Sequence, residues 1–273
     1  MRALTSDMDA TIVAAIDQRL ADVRRDHHVH IPWQIESGSR AWGFPSPDSD
    51  YDCRFIFLRR RTDYLSLWPL RDVIETPLDA VFDVNGWDLG KAIRLLVKGN
   101  AVVVEWLTSP IIYKGDAAFR AEFLELVGQI AQRQLIARHY RGMLRVHRER
   151  VEDRVPPPAI KKLFYALRPA MALRWLRQRP GQNVAPMHFP TLLAEADIPG
   201  PLHARIEQML ADKALTRELG RAPIPEDIRN FLRAEDELSE ALSREPLTLE
   251  MDAAQALGDA FFQTMLTRYE PVR

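Results

Sequence analysis

Every segment of this chain that reads as a β-strand lies before about residue 116, and beyond it the apolar spacing is helical. That asymmetry predicts an α+β fold: a mixed sheet with flanking helices over residues 1–115, then an α-helical domain over residues 116–273. Strands are expected at 29–36, 51–58, 71–75 and 79–84, with the aromatic and β-branched run 51–58 the clearest. Gly86 is expected to break the last strand, and helical spacing resumes from Trp87 to Lys98. Ile12, Ile16 and Leu20 put one apolar side on a helix at 9–26, and a short helix follows at 101–107. Helices at 117–150, 158–178, 200–218, 225–244 and 248–269 are separated by breaks such as Pro156-Pro157-Pro158, Pro180-Gly181 and Pro199-Gly200-Pro201.

A chain of 273 residues buries roughly 73% of its extended surface on folding, enough for a core without a staple. The single cysteine, Cys53, lies in an apolar run and is expected as a buried thiol; no Cys/His group has zinc spacing. The 37 basic and 38 acidic side chains cancel, so any nucleic-acid contact has to come from a local patch. The first residues lack the pattern of a secretory leader, and no apolar stretch reaches the roughly eighteen residues of a membrane span. A soluble, cytoplasmic protein with no membrane partner is expected; the sequence does not encode its oligomeric state in readable form.

Chemistry concentrates in the first half. Gly38-Ser39-Arg40 ends one expected strand, and Ser49-Asp50-Tyr51-Asp52 opens the next. Strand alternation sends Asp50 and Asp52 to the same face, where two carboxylates repel unless a cation lies between them. Hard ions such as Mg²⁺ take one or two such carboxylates plus phosphate oxygens. A Gly-Ser turn supplies the complement, because successive backbone N–H groups make a nest for phosphate. Either piece alone also describes a solvated strand edge or a plain turn; the combination points to a metal–phosphate site. Asp83, between apolar neighbours in an expected strand, is the candidate third carboxylate. Asp88 is the alternative, although a first-turn acid also suits a helix dipole with no metal.

These residues resemble a known family. Glu36-Ser37-Gly38-Ser39-Arg40-Ala41-Trp42-Gly43 followed by Ser49-Asp50-Tyr51-Asp52 is similar to the signature of the polymerase-beta-like nucleotidyltransferases, nearest the RNA-ligase-associated polymerases. The likeness continues through Asp83-Val84-Asn85-Gly86-Trp87-Asp88-Leu89, Lys98-Gly99-Asn100 and Glu105-Trp106-Leu107. It returns at 161–169 and at Arg174-Trp175, and Ala101 departs from it where proline is expected. The resemblance implies a nucleotidyltransferase domain that moves an NMP from an NTP to an acceptor hydroxyl and releases pyrophosphate. Asp50 and Asp52 would hold two Mg²⁺ ions (Mn²⁺ could substitute), and Asp83 would ligate the one that activates the acceptor. Gly38, Ser39 and Arg40 would bind the nucleotide. The acceptors left open are an RNA 3′ end, a tRNA, a protein hydroxyl and a small molecule, the association with RNA ligases hinting at RNA ends.

In the helical half, Lys161, Tyr165, Arg168 and Trp175 share a helical stripe with Lys162 at its edge, and could close over a triphosphate and its base. A solvated basic face with Trp175 in the core is the plainer account. Pro169 is expected to kink that helix. Arg138, Arg141, Arg145 and Arg148 line one face of another helix and are expected to pair with acidic helices more than with a polynucleotide. Arg59-Arg60-Arg61 poses the same question, and His27, His28 and His30 are expected at the surface. The rival functions are a non-catalytic nucleotide-binding or regulatory module and a sugar-nucleotide transferase, whose Asp-x-Asp also binds metal and diphosphate.

Overall fold

The computed structural model describes residues 1–78, 81–152, 156–215 and 220–271. Helix α1 (Ala10–His27) starts at the Asp9 carboxylate, which caps the N–H groups of Thr11 and Ile12, and ends at His28 in the left-handed region (φ 52°). Strand β1 (His30–Glu36) leads through a four-residue helix α2 (Gly38–Ala41) to β2 (Tyr51–Leu58). A short helix α3 (Arg61–Tyr64) precedes β3 (Val73–Glu75) and β4 (Phe82–Asp88). Helices α4 (Leu89–Val97) and α5 (Ala101–Thr108) lead to β5 (Ile112–Gly115). The five strands form one mixed sheet in the order β3-β4-β2-β1-β5, in which β2 and β4 are parallel and the other pairs antiparallel.

The centre of the sheet is β2, buried on both faces. Tyr51, Cys53, Phe55 and Phe57 pack toward α1 through Val13, Ile16, Leu20 and Val23. Ile56 and Leu58 point the other way, into a layer made by α4, α5, α6 (Ala117–Ile130) and α13 (Met251–Tyr269). Alternation then places Asp52 and Arg54 on that second face, at the end of β2 that the layer leaves open.

The remaining helices are α7 (Arg133–Val151), α8 (Lys161–Gln178), α9 (Phe189–Glu195), α10 (Gly200–Leu215), α11 (Glu226–Leu238) and α12 (Glu240–Ser243). They gather around a second core in which Phe164, Leu167, Met171 and Leu173 of α8 are central. The sheet ends at Gly115, but the first core does not, since α6 and α13 from the later sequence complete its layer. Among the described residues no helix is long and apolar enough to cross a membrane.

Several boundaries differ from expectation for local reasons. The expected helix 117–150 is two helices, because Gln132 turns its side chain to the backbone of Thr248 and Leu249. The 225–244 helix likewise divides into α11 and α12, and α9 was not anticipated. Residues 79–80 of one expected strand and 216–218 of one expected helix lie outside the described residues. Helix α8 continues through Pro169 without a break. Gly86 does not end β4, which runs to Asp88; it is a glycine because the Phe55 ring fills the space a side chain would need, 2.1 Å from an ideal Cβ. Gly86→Ala is therefore expected to destabilise the fold by about 1–3 kcal/mol through overpacking, read as a lower urea midpoint with an unchanged slope.

Candidate active site

The turn after β1 and the start of β2 are built around one carboxylate. Ser37 donates its backbone N–H to the Asp52 carbonyl at 2.8 Å, which draws the turn over the strand. Gly38 follows with φ +63°, and an ideal Cβ there would lie 2.0 Å from Asp52 Oδ2. Only glycine lets the turn close on this carboxylate. Across the sheet, Asp52 on β2 stands opposite Asp83 on β4 in parallel register. Arg54 Nη2 lies between them, 2.9 Å from Asp52 Oδ1 and 2.9 Å from Asp83 Oδ2. Asn85 Nδ2 donates to both oxygens of Asp83, at 2.9 and 3.0 Å. Asp50 is exposed at the mouth of the strand, two residues before Asp52. Burial raises the pKa of Asp52; Arg54 opposes the rise, and the negative charges of Asp83 and Asp50 add to it.

The alternative third carboxylate is elsewhere. Asp88 is registered with Phe57 at the far end of β4, where it accepts the Tyr64 hydroxyl (2.7 Å) and caps the Gly90 N–H (2.8 Å). It starts α4 and does not approach Asp52.

Two residues that sequence reasoning left without a role support the turn. Glu36 is fully buried, accepting the Asp52 N–H at 2.7 Å and the Tyr113 hydroxyl at 2.5 Å. Burial pushes its carboxyl up to about 8 against these two bonds. Lys213 of α10 is 4% exposed, with Nζ 3.4 Å from Ser46 Oγ and 5.5 Å from the centre of the Phe44 ring. From Ser46 a chain of hydroxyls runs to Ser49 (3.1 Å) and on to Ser39 (2.9 Å) in the turn. Arg40 is folded beneath this loop, donating to the carbonyls of Ser49 (2.7 Å) and Asp50 (3.3 Å), its guanidinium 4.1 Å from the Tyr51 ring centre.

The expected stripe on α8 divides. Lys161, Lys162 and Tyr165 are exposed, and the Tyr165 ring meets Trp42 edge-on at 5.8 Å. Arg168 requires a correction: expected at the phosphates, it is 2% exposed and donates to Glu105 Oε1 at 2.5 Å. Tyr140 donates to the same oxygen at 3.0 Å, and the guanidinium lies 4.2 Å from the Trp42 ring centre. Its charge is spent inside the protein, about two turns beyond Lys161 at the exposed start of the helix. Trp175 is a core residue bonded to Glu195. Arg141, Arg145 and Arg148 all pair with Asp236 of α11, the acidic-helix arrangement expected for them, and Arg138 donates to the Ser243 carbonyl. Arg60 pairs with Asp63 and Arg61 with Glu270, while Arg59 donates to the Arg71 carbonyl. Cys53 is a buried free thiol, and His27, His28 and His30 are exposed.

The donor set fits a divalent cation. Carboxylates from neighbouring strands face one another, and Asn85 Oδ1 beside Asp83 is buried with no hydrogen-bond partner. Among the described residues no three His, Cys, Asp or Glu side chains close a ready-made cage. An ion here would draw its remaining ligands from phosphate and water, as Mg²⁺ ordinarily does.

Two expectations follow from these contacts. Arg168→Ala leaves the Glu105 carboxylate buried without its cation and should cost about 3–5 kcal/mol in urea unfolding. Burial lowers the Lys213 ammonium to about 8, with Asp48 resisting and Lys161 assisting. Between pH 8 and 10.5 the folded protein has released this proton while the unfolded chain retains it, so this group makes stability rise with pH. Below pH 8 the burial penalty is fully present. Lys213→Met should gain about 1–3 kcal/mol at pH 7 and lose that rise, measured by urea titration across the window.

The Bacillus subtilis (strain 168) protein YcgL is 33% identical over 254 residues, spanning 91% of this chain and 96% of its own. A nucleotidyltransferase-like protein from Exiguobacterium sibiricum 255-15 aligns over 92% of this chain and 75% of its own, with 10% identity and a TM-score of 0.29. With the site geometry and a family match running over residues 12–263, the chain belongs to the RNA repair pathway DNA polymerase beta family, a branch of the polymerase-beta-like nucleotidyltransferases.

Proposed function

We propose that this protein transfers a nucleoside monophosphate from an NTP to an acceptor hydroxyl, an RNA end being the acceptor class its family description favours. The observation that carries the reading is Asp52, closed on by the Gly38 turn and facing Asp83 in register. Asp50, Asp52 and Asp83 would hold two Mg²⁺ ions, or Mn²⁺ in their place. Bound there, the ions would neutralise phosphate charge and ease loss of the acceptor's proton. The N–H groups and hydroxyl of Gly38 and Ser39 bind the outer phosphates, and Lys161 adds a positive charge from α8. Tyr165 and Trp42 offer aromatic surface beside the carboxylates. Arg40 acts by holding the 49–50 loop in place.

In the reaction the acceptor oxygen attacks the α-phosphorus. A new P–O bond forms, the bond to the β-phosphate oxygen breaks, and its electron pair leaves with pyrophosphate. The hydroxyl proton passes to an Asp83 carboxylate oxygen. Arg54 bonds to both Asp52 and Asp83, so a divalent ion taking those oxygens would displace it from them.

Asp52→Asn should abolish pyrophosphate release from labelled NTPs supplied with total RNA. Asp83→Ala should retain MgNTP binding and lose single-turnover transfer. Asp88→Ala should retain transfer and lose about 1 kcal/mol of stability, as a helix cap does. Normal turnover by Asp52→Asn or Asp83→Ala would sink the assignment.

A further inference from the structure

A second positively charged recess lies across Tyr165 from the phosphate turn. It has a volume of about 260 Å³ and is lined, among the described residues, by His147, Arg150, Val151, Lys162 and Tyr165, none of them acidic. The rings of His147 and Tyr165 lie face to face, centroids 5.8 Å apart and planes 24° from parallel. Burial, with the nearby charges of Arg150 and Arg168, holds His147 below its ordinary pKa, so at neutral pH its ring is uncharged. The recess neighbours the Gly38 turn, because its Tyr165 wall meets Trp42, the residue that ends α2, with ring centres 5.8 Å apart.

The first turn of α8 therefore serves two sides. Lys161 is in electrostatic range of Lys213, which reaches the turn through the serine hydroxyls. Lys162, its neighbour in sequence, lines the recess with Arg150. One cationic flank suffices for the outer phosphates of an NTP, and a transferase has a second substrate. Stacked, uncharged rings beside two cations suit an unpaired base and its phosphate.

We propose that this recess binds the acceptor: a nucleotide unit near the 3′ end of single-stranded RNA, its phosphate on Arg150 and Lys162 and its base against the His147–Tyr165 pair. The inference rests on the nucleotidyl-transfer reading and assigns the acceptor's place within it.

The probe is a short, labelled single-stranded RNA ending in a 3′ hydroxyl, followed by fluorescence anisotropy across a salt series. MgATP binding by calorimetry is measured in parallel. Arg150→Ala/Lys162→Ala should weaken RNA binding about 10- to 100-fold at low salt. The slope of log affinity against log salt should fall by about 0.7, the value for one phosphate of a single strand. His147→Ala should weaken RNA binding about 5- to 150-fold and leave that slope unchanged, since stacking releases no counterions. MgATP affinity should stay within twofold in both variants. Wild-type RNA affinity in both variants, or MgATP affinity lost along with RNA affinity, overturns the proposal. So does a wild-type protein that binds no RNA at low salt. The nucleotidyl-transfer reading falls separately, if the wild type releases no pyrophosphate with any acceptor.

Discussion

The ion pair between Arg168 of α8 and Glu105 of α5 is the contact on which the relation of the two cores depends. Both side chains are almost fully buried, at 2% exposure each, and a pair so placed returns little net stability over an apolar substitute. What it supplies is position. Glu105 has two donors, Arg168 and Tyr140 of α7, so α5, α7 and α8 meet at one carboxylate. The guanidinium face is covered by Trp42, the residue that ends α2. The helix carrying Lys161, Lys162 and Tyr165 is thereby registered against α2, the helix that begins at Gly38.

Charge at the carboxylates is balanced in the same economical way. Asp52 and Asp83 repel, yet both are held by a single guanidinium that came with the strand, two residues beyond Asp52. The alternation that aligns Asp50 with Asp52 also aligns Arg54. The protein thus carries an internal cation that steadies the cluster. Glu36 works underneath by a different rule: it bonds to the backbone of Asp52 and not to its carboxylate, fixing where the strand begins.

Much of this was legible in the sequence. The composition of 51–58 specifies a strand, and period-two alternation turns Asp52 and Arg54 to one face, while Asp50 lies just before β2. Local pattern fails where a distant group decides. Ala131 and Gln132 are not helix breakers; the helix ends there because Gln132 bonds to residues more than a hundred positions later. A helical wheel groups Arg168 with Lys161, but whether that face is wet at each turn depends on Glu105 from another helix. Lys213 has no sequence signature, since its burial follows from where α10 docks. Gly86 looks like a terminator and is a contact, visible only once Phe55 is known to lie beside it.

The packing of α13 against α4 and α6 has a consequence for the order in which the molecule can be made. Residues 251–269 cover helices α4 and α6 beside a sheet whose last strand ends at Gly115, and the helices α7 to α12 lie between them in the chain. During synthesis the sheet emerges early with α4, α5 and α6 on one side, and the whole helical module must leave the ribosome before the segment that covers α4 and α6. At the roughly 5–20 residues added per second, that interval lasts from several seconds to about half a minute. Through it Ile93 and Val97 of α4 and Phe123 of α6 lack the cover that α13 later gives them. A ribosome that stalls before α13 would leave a nascent chain with Asp52 and Asp83 in place and a greasy flank open to chaperones.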